Sequence, residues 1–149
     1  MIEKIEFEAA SFHEGKTQKF RFNGEGINVL AFFPGAFTGV CTEEVCEFRD
    51  QILEFNEMDL EVIGISVDTP FALEEFAEQQ DLNFKLVSDT SKEISENYNV
   101  KAEMPDLEYE IASRATFIVK DGEVVYSEIL GDPSDLPDFK KLKENLSGL

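Results

Sequence analysis

The sequence predicts an α/β fold, a single domain over residues 1–149 with a mixed central β-sheet flanked by helices on both faces. Three observations carry that expectation. The runs Ile27–Phe33 and Leu60–Val67 are almost continuously apolar, as strands covered on both faces must be. Each is followed by a segment whose apolar residues recur at helical spacing, and alternation of strand and helix implies parallel pairing. Asp121-Gly122 lies between two further strand-like runs, the signal of a tight antiparallel hairpin, so the sheet is mixed.

Taken in order, Ile5–Phe12 and Thr17–Phe22 read as strands joined by the turn His13-Glu14-Gly15-Lys16, and Asn23-Gly24 and Gly26 punctuate the chain before the buried strand Ile27–Phe33. A Pro-Gly turn leads to Cys41 and a helix over Thr42–Glu57, on which Val45, Phe48, Ile52 and Phe55 form one apolar face. After Leu60–Val67, Asp68-Thr69-Pro70 marks a helix start. The helix Phe71–Gln80 then turns Phe71, Leu73, Phe76 and Ala77 toward the core. Phe84–Val87 is a short strand, Lys92–Tyr98 a short helix and Val100–Glu110 an irregular acidic loop. Ala115–Val119 and Val124–Ile129 flank the hairpin turn, and a helix over Pro137–Leu146 places Phe139, Leu142 and Leu146 on one face. The expected order is β-β-β-α-β-α-β-α-β-β-α.

With 32 acidic against 13 basic residues, the net charge of −19 argues against nucleic acid or an anionic membrane as partner, since both are bound through Lys and Arg. No apolar run is long enough to span a bilayer. The opening MIEKIEFEAASF lacks the basic and apolar regions of a secretory signal, so two thiols in this context are expected in a reducing cytoplasm. One histidine and two cysteines do not complete a zinc site, no glycine-rich phosphate loop or dinucleotide fingerprint occurs, and no cofactor is expected.

The two cysteines, Cys41 and Cys46, lie five residues apart beside the buried strand. Free cysteines are commonly inert core residues, but Cys41 is expected where a helix begins. Unpaired N–H groups and the positive end of the helix dipole there favour a thiolate. The acidic chain opposes that charge, so a local cation is required. Three arginines compete for the role: Arg114 at the start of the closing hairpin's first strand, Arg49 two turns along the helix, and Arg21 in an early strand. His13, the only histidine, reads as a solvated turn residue, which argues against a Cys-His pair.

Pro34, Thr38 and Cys41 form P-x-x-x-T-x-x-C between strand and helix, and in this motif the chain resembles the peroxiredoxins. The similarity runs from FFPGAFTGVCTEE through GISVDTPFALEEFA and LVSDTSKEISENYNV to SRATFIVKDGEVVY. A redox cysteine between strand and helix, with a closing β-β-α, matches the thioredoxin-like fold. The resemblance implies that Cys41 is the peroxidatic nucleophile, and that Thr38 and Arg114 bind the peroxide and steady the thiolate. It further implies that Pro34 shields the sulfur from water and that Glu44, in C-x-x-E, orients the arginine. A second cysteine five residues on resembles the Q-type, bacterioferritin comigratory protein-like members, which implies that Cys46 resolves the sulfenic acid as a disulfide. F-T-G-V-C also resembles certain one-Cys members. The implied partners are hydrogen peroxide or an organic hydroperoxide and a reductant that is thioredoxin, glutaredoxin or a small thiol, for a monomer or a homodimer. Competing readings are a redox sensor switching through Cys41 and Cys46, and a disulfide reductase, for which C-x-x-C would be expected.

Overall fold

The computed structural model describes residues 2–51, 59–104 and 106–149. Among them, strands β1 (Phe7–His13), β2 (Lys16–Phe22), β3 (Ile27–Phe32), β4 (Leu60–Ser66), β5 (Lys85–Ser88), β8 (Ala115–Lys120) and β9 (Glu123–Ile129) form one sheet in the order β2-β1-β5-β4-β3-β8-β9. β6 (Lys101–Met104) and β7 (Tyr109–Ala112) form a separate two-stranded sheet. The helices are α1 (Gly39–Asp50), α2 (Pro70–Gln79), α3 (Glu93–Asn97) and α4 (Phe139–Ser147).

The three central strands are parallel, β3 against β4 and β4 against β5, while β8 runs antiparallel to β3 and β1 antiparallel to β5. Moving outward from β3 to β5 with the usual crossover hand puts α1 and α2 on the same face. Their apolar side chains, with Leu142 and Leu146 of α4, meet Val29, Ala31, Val62 and Ile118 in one core cluster. The alternate residues of the same strands, Leu30, Phe32, Ile63 and Phe117, pack on the other face against Ile94 and Tyr98 of α3 and Ala112 of β7. This two-sided burial is why β3 and β4 are apolar without alternation. Full burial of a large apolar side chain stabilises by about 1.5–3 kcal/mol, and Phe48, Phe76 and Phe117 are each buried.

The mixed sheet with helices on both faces, and its two hairpins, agree with expectation. The β1–β2 turn is Glu14-Gly15 and the β8–β9 turn Asp121-Gly122, all four residues at positive φ as a two-residue hairpin turn requires. Several details differ. The stretch expected as an irregular loop over Val100–Glu110 contains β6 and most of the hairpin to β7. Its strands are short and mostly exposed, so hydrophobic alternation is weak. Its base is closed by Ser113 N–H donating to Val100 O at 2.7 Å, and Lys101 links β7 at Glu110 to α3 at Glu96.

Phe71, expected in the core, is 76% exposed. At about 100° per residue it stands some 200° around the helix from the buried Leu73. α1 begins at Gly39 rather than Thr42, so Cys41 lies inside the first turn. The expected continuation of α1 through Ile52 and Phe55 to Glu57 lies outside the described residues. α4 starts at Phe139, after Asp138 accepts from Lys141 N–H at 3.0 Å as its N-cap, rather than at Pro137.

Candidate active site

The end of β3 and the start of β8 define the site. In the antiparallel register Phe32 faces Ala115, so the residue before Ala115 lies next to the segment that leaves β3 toward α1. That residue is Arg114. After Phe33, the segment turns at Pro34-Gly35 and enters α1 with Thr38 as N-cap in extended conformation. Thr42 N–H closes the first turn on Thr38 O at 2.9 Å. Thr38 Oγ1 does not cap the helix. It donates to Gly35 O at 2.9 Å, which leaves its lone pairs directed to whatever sits in the adjoining cavity.

Cys41 is 1% exposed, its sulfur at the floor of a cavity of about 610 Å³. Pro34, Gly35 and Thr38 line one side of it. Arg114, Leu130 and Pro133 line another, and Met104 and Ile111 of the β6–β7 hairpin supply an apolar wall. Arg114 Nη2 stands 3.4 Å from Cys41 Sγ and also donates to Pro133 O at 2.8 Å. Its Nη1 donates to Glu44 Oε1, a fully buried carboxylate one helical turn beyond Cys41. One guanidinium thus bridges two acidic groups on the same helix face, which are three residues apart and therefore neighbours. Arg114 Nε and Glu44 Oε2 make no hydrogen bond.

The electrostatics follow from burial. Loss of solvent pushes the Glu44 carboxyl from its ordinary value up to about 7, against the opposing pull of Arg114. Burial works against the charge on Arg114, but Glu44 and Cys41 outweigh it and raise its pKa above the ordinary arginine value. Arg114 is a permanent, buried cation, placed where a sulfur anion and a developing oxyanion would both need one.

The other two arginines are elsewhere. Arg49 Nη1 donates to Gln80 O at 2.7 Å and its Nε to Asp50 Oδ1 at 2.8 Å. Arg21 is exposed on β2, opposite Glu8. His13 lies at the end of β1, 3.9 Å from Glu14. Cys46 is half-buried on another face of α1, where its Sγ donates to Gln80 Oε1 at 3.3 Å. The structure therefore gathers Pro34, Thr38, Cys41, Glu44 and Arg114, and leaves Cys46 apart from them. α1 is continuous through both free cysteines. Five residues of helix separate their Cα atoms by about 8.7 Å, beyond the roughly 7 Å a disulfide spans.

Sequence reasoning missed Asp68. Its Oδ2 accepts from Ala36 N–H at 2.7 Å and from Ser66 Oγ at 2.7 Å, pinning the Pro34–Thr38 turn to the end of β4. Asp68-Thr69-Pro70 signalled only a helix start, and that role falls to Thr69 Oγ1, which accepts from Ala72 N–H. The Pro133 carbonyl carries no side-chain signal at all, and the hairpin wall lies in the stretch expected as loop. Among the described residues, no three His, Cys, Asp or Glu side chains are grouped to hold a metal, and no helix is long and apolar enough to cross a membrane.

A profile of the AhpC/TSA family matches residues 3–127. The chain belongs to this family. It is 34% identical over 136 residues to the thiol peroxidase of Campylobacter jejuni, covering 90% of this chain and 70% of that one. It is 35% identical over 106 residues to peroxiredoxin Bcp of Escherichia coli, covering 69% and 67% respectively. The solved structure of peroxidoxin BcpB from Mycobacterium tuberculosis superposes with a TM-score of 0.80 at 27% identity, covering 97% of this chain and 93% of that one. The chain is thus a peroxiredoxin with the thioredoxin-like fold, similar to the Bcp-like members that the sequence resembles, and a thiol-dependent peroxidase.

Proposed function

We propose that the protein reduces hydroperoxides by direct attack of the Cys41 sulfur, with Thr38 and Arg114 holding the peroxide and Cys46 completing the cycle. The observation that carries the reading is the Arg114 fork, with Nη2 at 3.4 Å from Cys41 Sγ and Nη1 held by Glu44 at the base of an open cavity. The thiolate of Cys41 attacks the distal oxygen of ROOH, forming S–O as O–O breaks. The leaving alkoxide or hydroxide takes a proton to become ROH or water, and Cys41 is left as a sulfenic acid. Thr38 accepts from the peroxide O–H through the oxygen whose own proton is engaged by Gly35, while Arg114 donates to the peroxide oxygens as charge develops. Pro34 closes one side of the sulfur against water, and Glu44 keeps the fork aligned.

Cys46 thiol then attacks the Cys41 sulfenic sulfur, S–S forms, S–OH breaks and water leaves. Because the two cysteines are out of reach on an intact helix, this step unwinds part of α1. A thioredoxin-like protein, glutaredoxin or small thiol in the cytoplasm returns the disulfide to two thiols. Hydrogen peroxide and organic hydroperoxides both fit the site. The apolar wall of Met104, Ile111 and Leu130 offers an R group more contact than water does. The continuous helix and the Cys46 contact with Gln80 favour a second reading, in which Cys46 is structural and the enzyme works with one cysteine.

Stopped-flow oxidation of the reduced protein, followed by turnover with candidate reductants, tests the proposal. Cys41→Ser should abolish peroxide consumption, because a serine hydroxyl is un-ionised and a poor nucleophile toward O–O. Cys46→Ser should react once at Cys41 and then stall with disulfide reductants. Residual turnover in Cys41→Ser removes the nucleophile assigned here, and undiminished turnover in Cys46→Ser selects the one-cysteine reading.

A further inference from the structure

We infer that Gln80 and Arg49 form a latch between α2 and α1 that holds Cys46 away from Cys41 and sets the rate at which the sulfenic acid is resolved. The inference rests on the reading in which Cys46 is the resolving thiol.

Cys46 and Arg49 are three residues apart on α1, so their side chains emerge on the same face. Both end on a single residue of α2. Cys46 Sγ donates to the side-chain oxygen of Gln80 at 3.3 Å, and Arg49 Nη1 donates to the backbone oxygen of Gln80 at 2.7 Å. Gln80 is the C-cap of α2, and the last turn of α2 carries no basic residue of its own. The guanidinium of Arg49 supplies from α1 the cation and the donor that a helix C-terminus lacks. The peroxidatic chemistry uses neither residue: Arg114 serves Cys41, on a different face of the helix.

The consequence follows from helix geometry. Cys46 points roughly 140° around the axis from Cys41 and reaches it only if the intervening turns unwind. Unwinding that carries Cys46 away from α2 must break the Cys46–Gln80 contact and strain or break the Arg49–Gln80 bond. Both contacts belong to the helical state and not to the resolved one, so their loss favours unwinding and leaves attack on peroxide untouched. Faster resolution shortens the life of the sulfenic acid and lowers the share that a second peroxide converts to sulfinic acid. Gln80 and Arg49 are therefore positioning residues that act through Cys46.

The test uses reduced full-length protein mixed with hydrogen peroxide, quenched with an alkylating agent at successive times and read by intact mass. Wild type should pass from sulfenic acid to an internal disulfide. In Gln80→Met, Cys41 oxidation should keep its rate while disulfide formation accelerates about fivefold, the worth of one hydrogen bond. Its sulfinic yield should fall in the same proportion at peroxide levels where sulfinic acid is the minor product. Arg49→Met should act in the same direction and Arg49→Lys, which keeps a donor and a charge, by less. These two also carry the test should Gln80→Met fold poorly. A loss of overall stability alone would lower the melting temperature without moving the ratio of disulfide to sulfinic product. Disulfide formation at the wild-type rate in both Gln80→Met and Arg49→Met overturns the latch while leaving Cys46 as resolving thiol. A wild-type protein that forms no internal disulfide overturns the resolving role itself, and the latch with it.

Discussion

Replacing Glu44 with glutamine isolates the electrostatic cost of the carboxylate beneath the reactive sulfur. In the folded protein burial holds this carboxyl up at about 7, against an ordinary value of 4.5. A carboxyl raised in this way contributes its full share of stability below pH 4.5, where it is neutral in both folded and unfolded chains. It loses that share as pH climbs, because the unfolded chain ionises first and gains hydration that the buried group cannot match. Past the folded value the loss levels off. At about 1.4 kcal/mol per tenfold change in proton activity, the loss is on the order of 1 kcal/mol at pH 5 and on the order of 3 kcal/mol at pH 8. Glu44 is completely buried, so solvent screening does not reduce the figure.

The amide of a glutamine in its place would accept from Arg114 as the protonated acid does and would not titrate. The stability of Glu44→Gln relative to wild type should therefore improve by about 2–3 kcal/mol between pH 5 and pH 8, whatever constant offset the substitution brings. Urea unfolding of both reduced proteins at the two pH values measures it, and the double difference cancels the other carboxylates. A difference that stays flat refutes the raised carboxyl. A difference that runs the other way makes the ionised pair with Arg114 a net stabiliser at neutral pH.

Two further substitutions probe the supports of the site. Arg114→Met should slow oxidation of Cys41 by peroxide about 100-fold or more, the usual cost of removing a preorganised donor from a developing charge, as read by stopped-flow. The same variant leaves the Glu44 carboxyl buried without its partner and should lose about 1–3 kcal/mol in urea unfolding near neutral pH. Asp68→Ala frees Ala36 N–H and the Ser66 hydroxyl, at a cost of about 1–3 kcal/mol. Peroxide oxidation should slow as the Thr38 turn loosens, and an unchanged rate would mean that the turn holds its shape without Asp68.

Most of the architecture was legible because burial writes itself into the pattern. β3 and β4 are almost continuously apolar since both faces are covered, and Asp121-Gly122 demands a tight turn. That the start of β8 falls beside the exit of β3 came from the thioredoxin-like plan, and the family resemblance is what singled out Arg114 among the three arginines. The β6–β7 hairpin was illegible for the opposite reason. Its strands are too exposed to alternate, and they are held by Lys101 ion pairs and a backbone bond at Ser113. Phe71 misled because an aromatic on an amphipathic helix reads as core unless its angle around the axis is counted. In the site, Cys41, Thr38 and Pro34 were carried by local spacing. Asp68, Gln80 and the Pro133 carbonyl act across long stretches of chain through backbone or generic polar groups, which leave no motif.

The pairing of Phe32 with Ala115 has a bearing on how the protein comes into being. Cys41 follows one strand of that pair and Arg114 precedes the other, so the sulfur meets its cation only after a long loop has closed, with α1, β4, α2, β5, α3, β6 and β7 lying inside it. Closures of that sequence separation are entropically expensive and come late in folding. A chain emerging during synthesis presents Cys41 long before Arg114 exists, and a refolding chain presents both before they touch. On the roles proposed for Cys41 and Arg114, fast reaction with peroxide is expected only after the two have met, so its appearance during refolding would serve as a clock for the zipping of β3 onto β8.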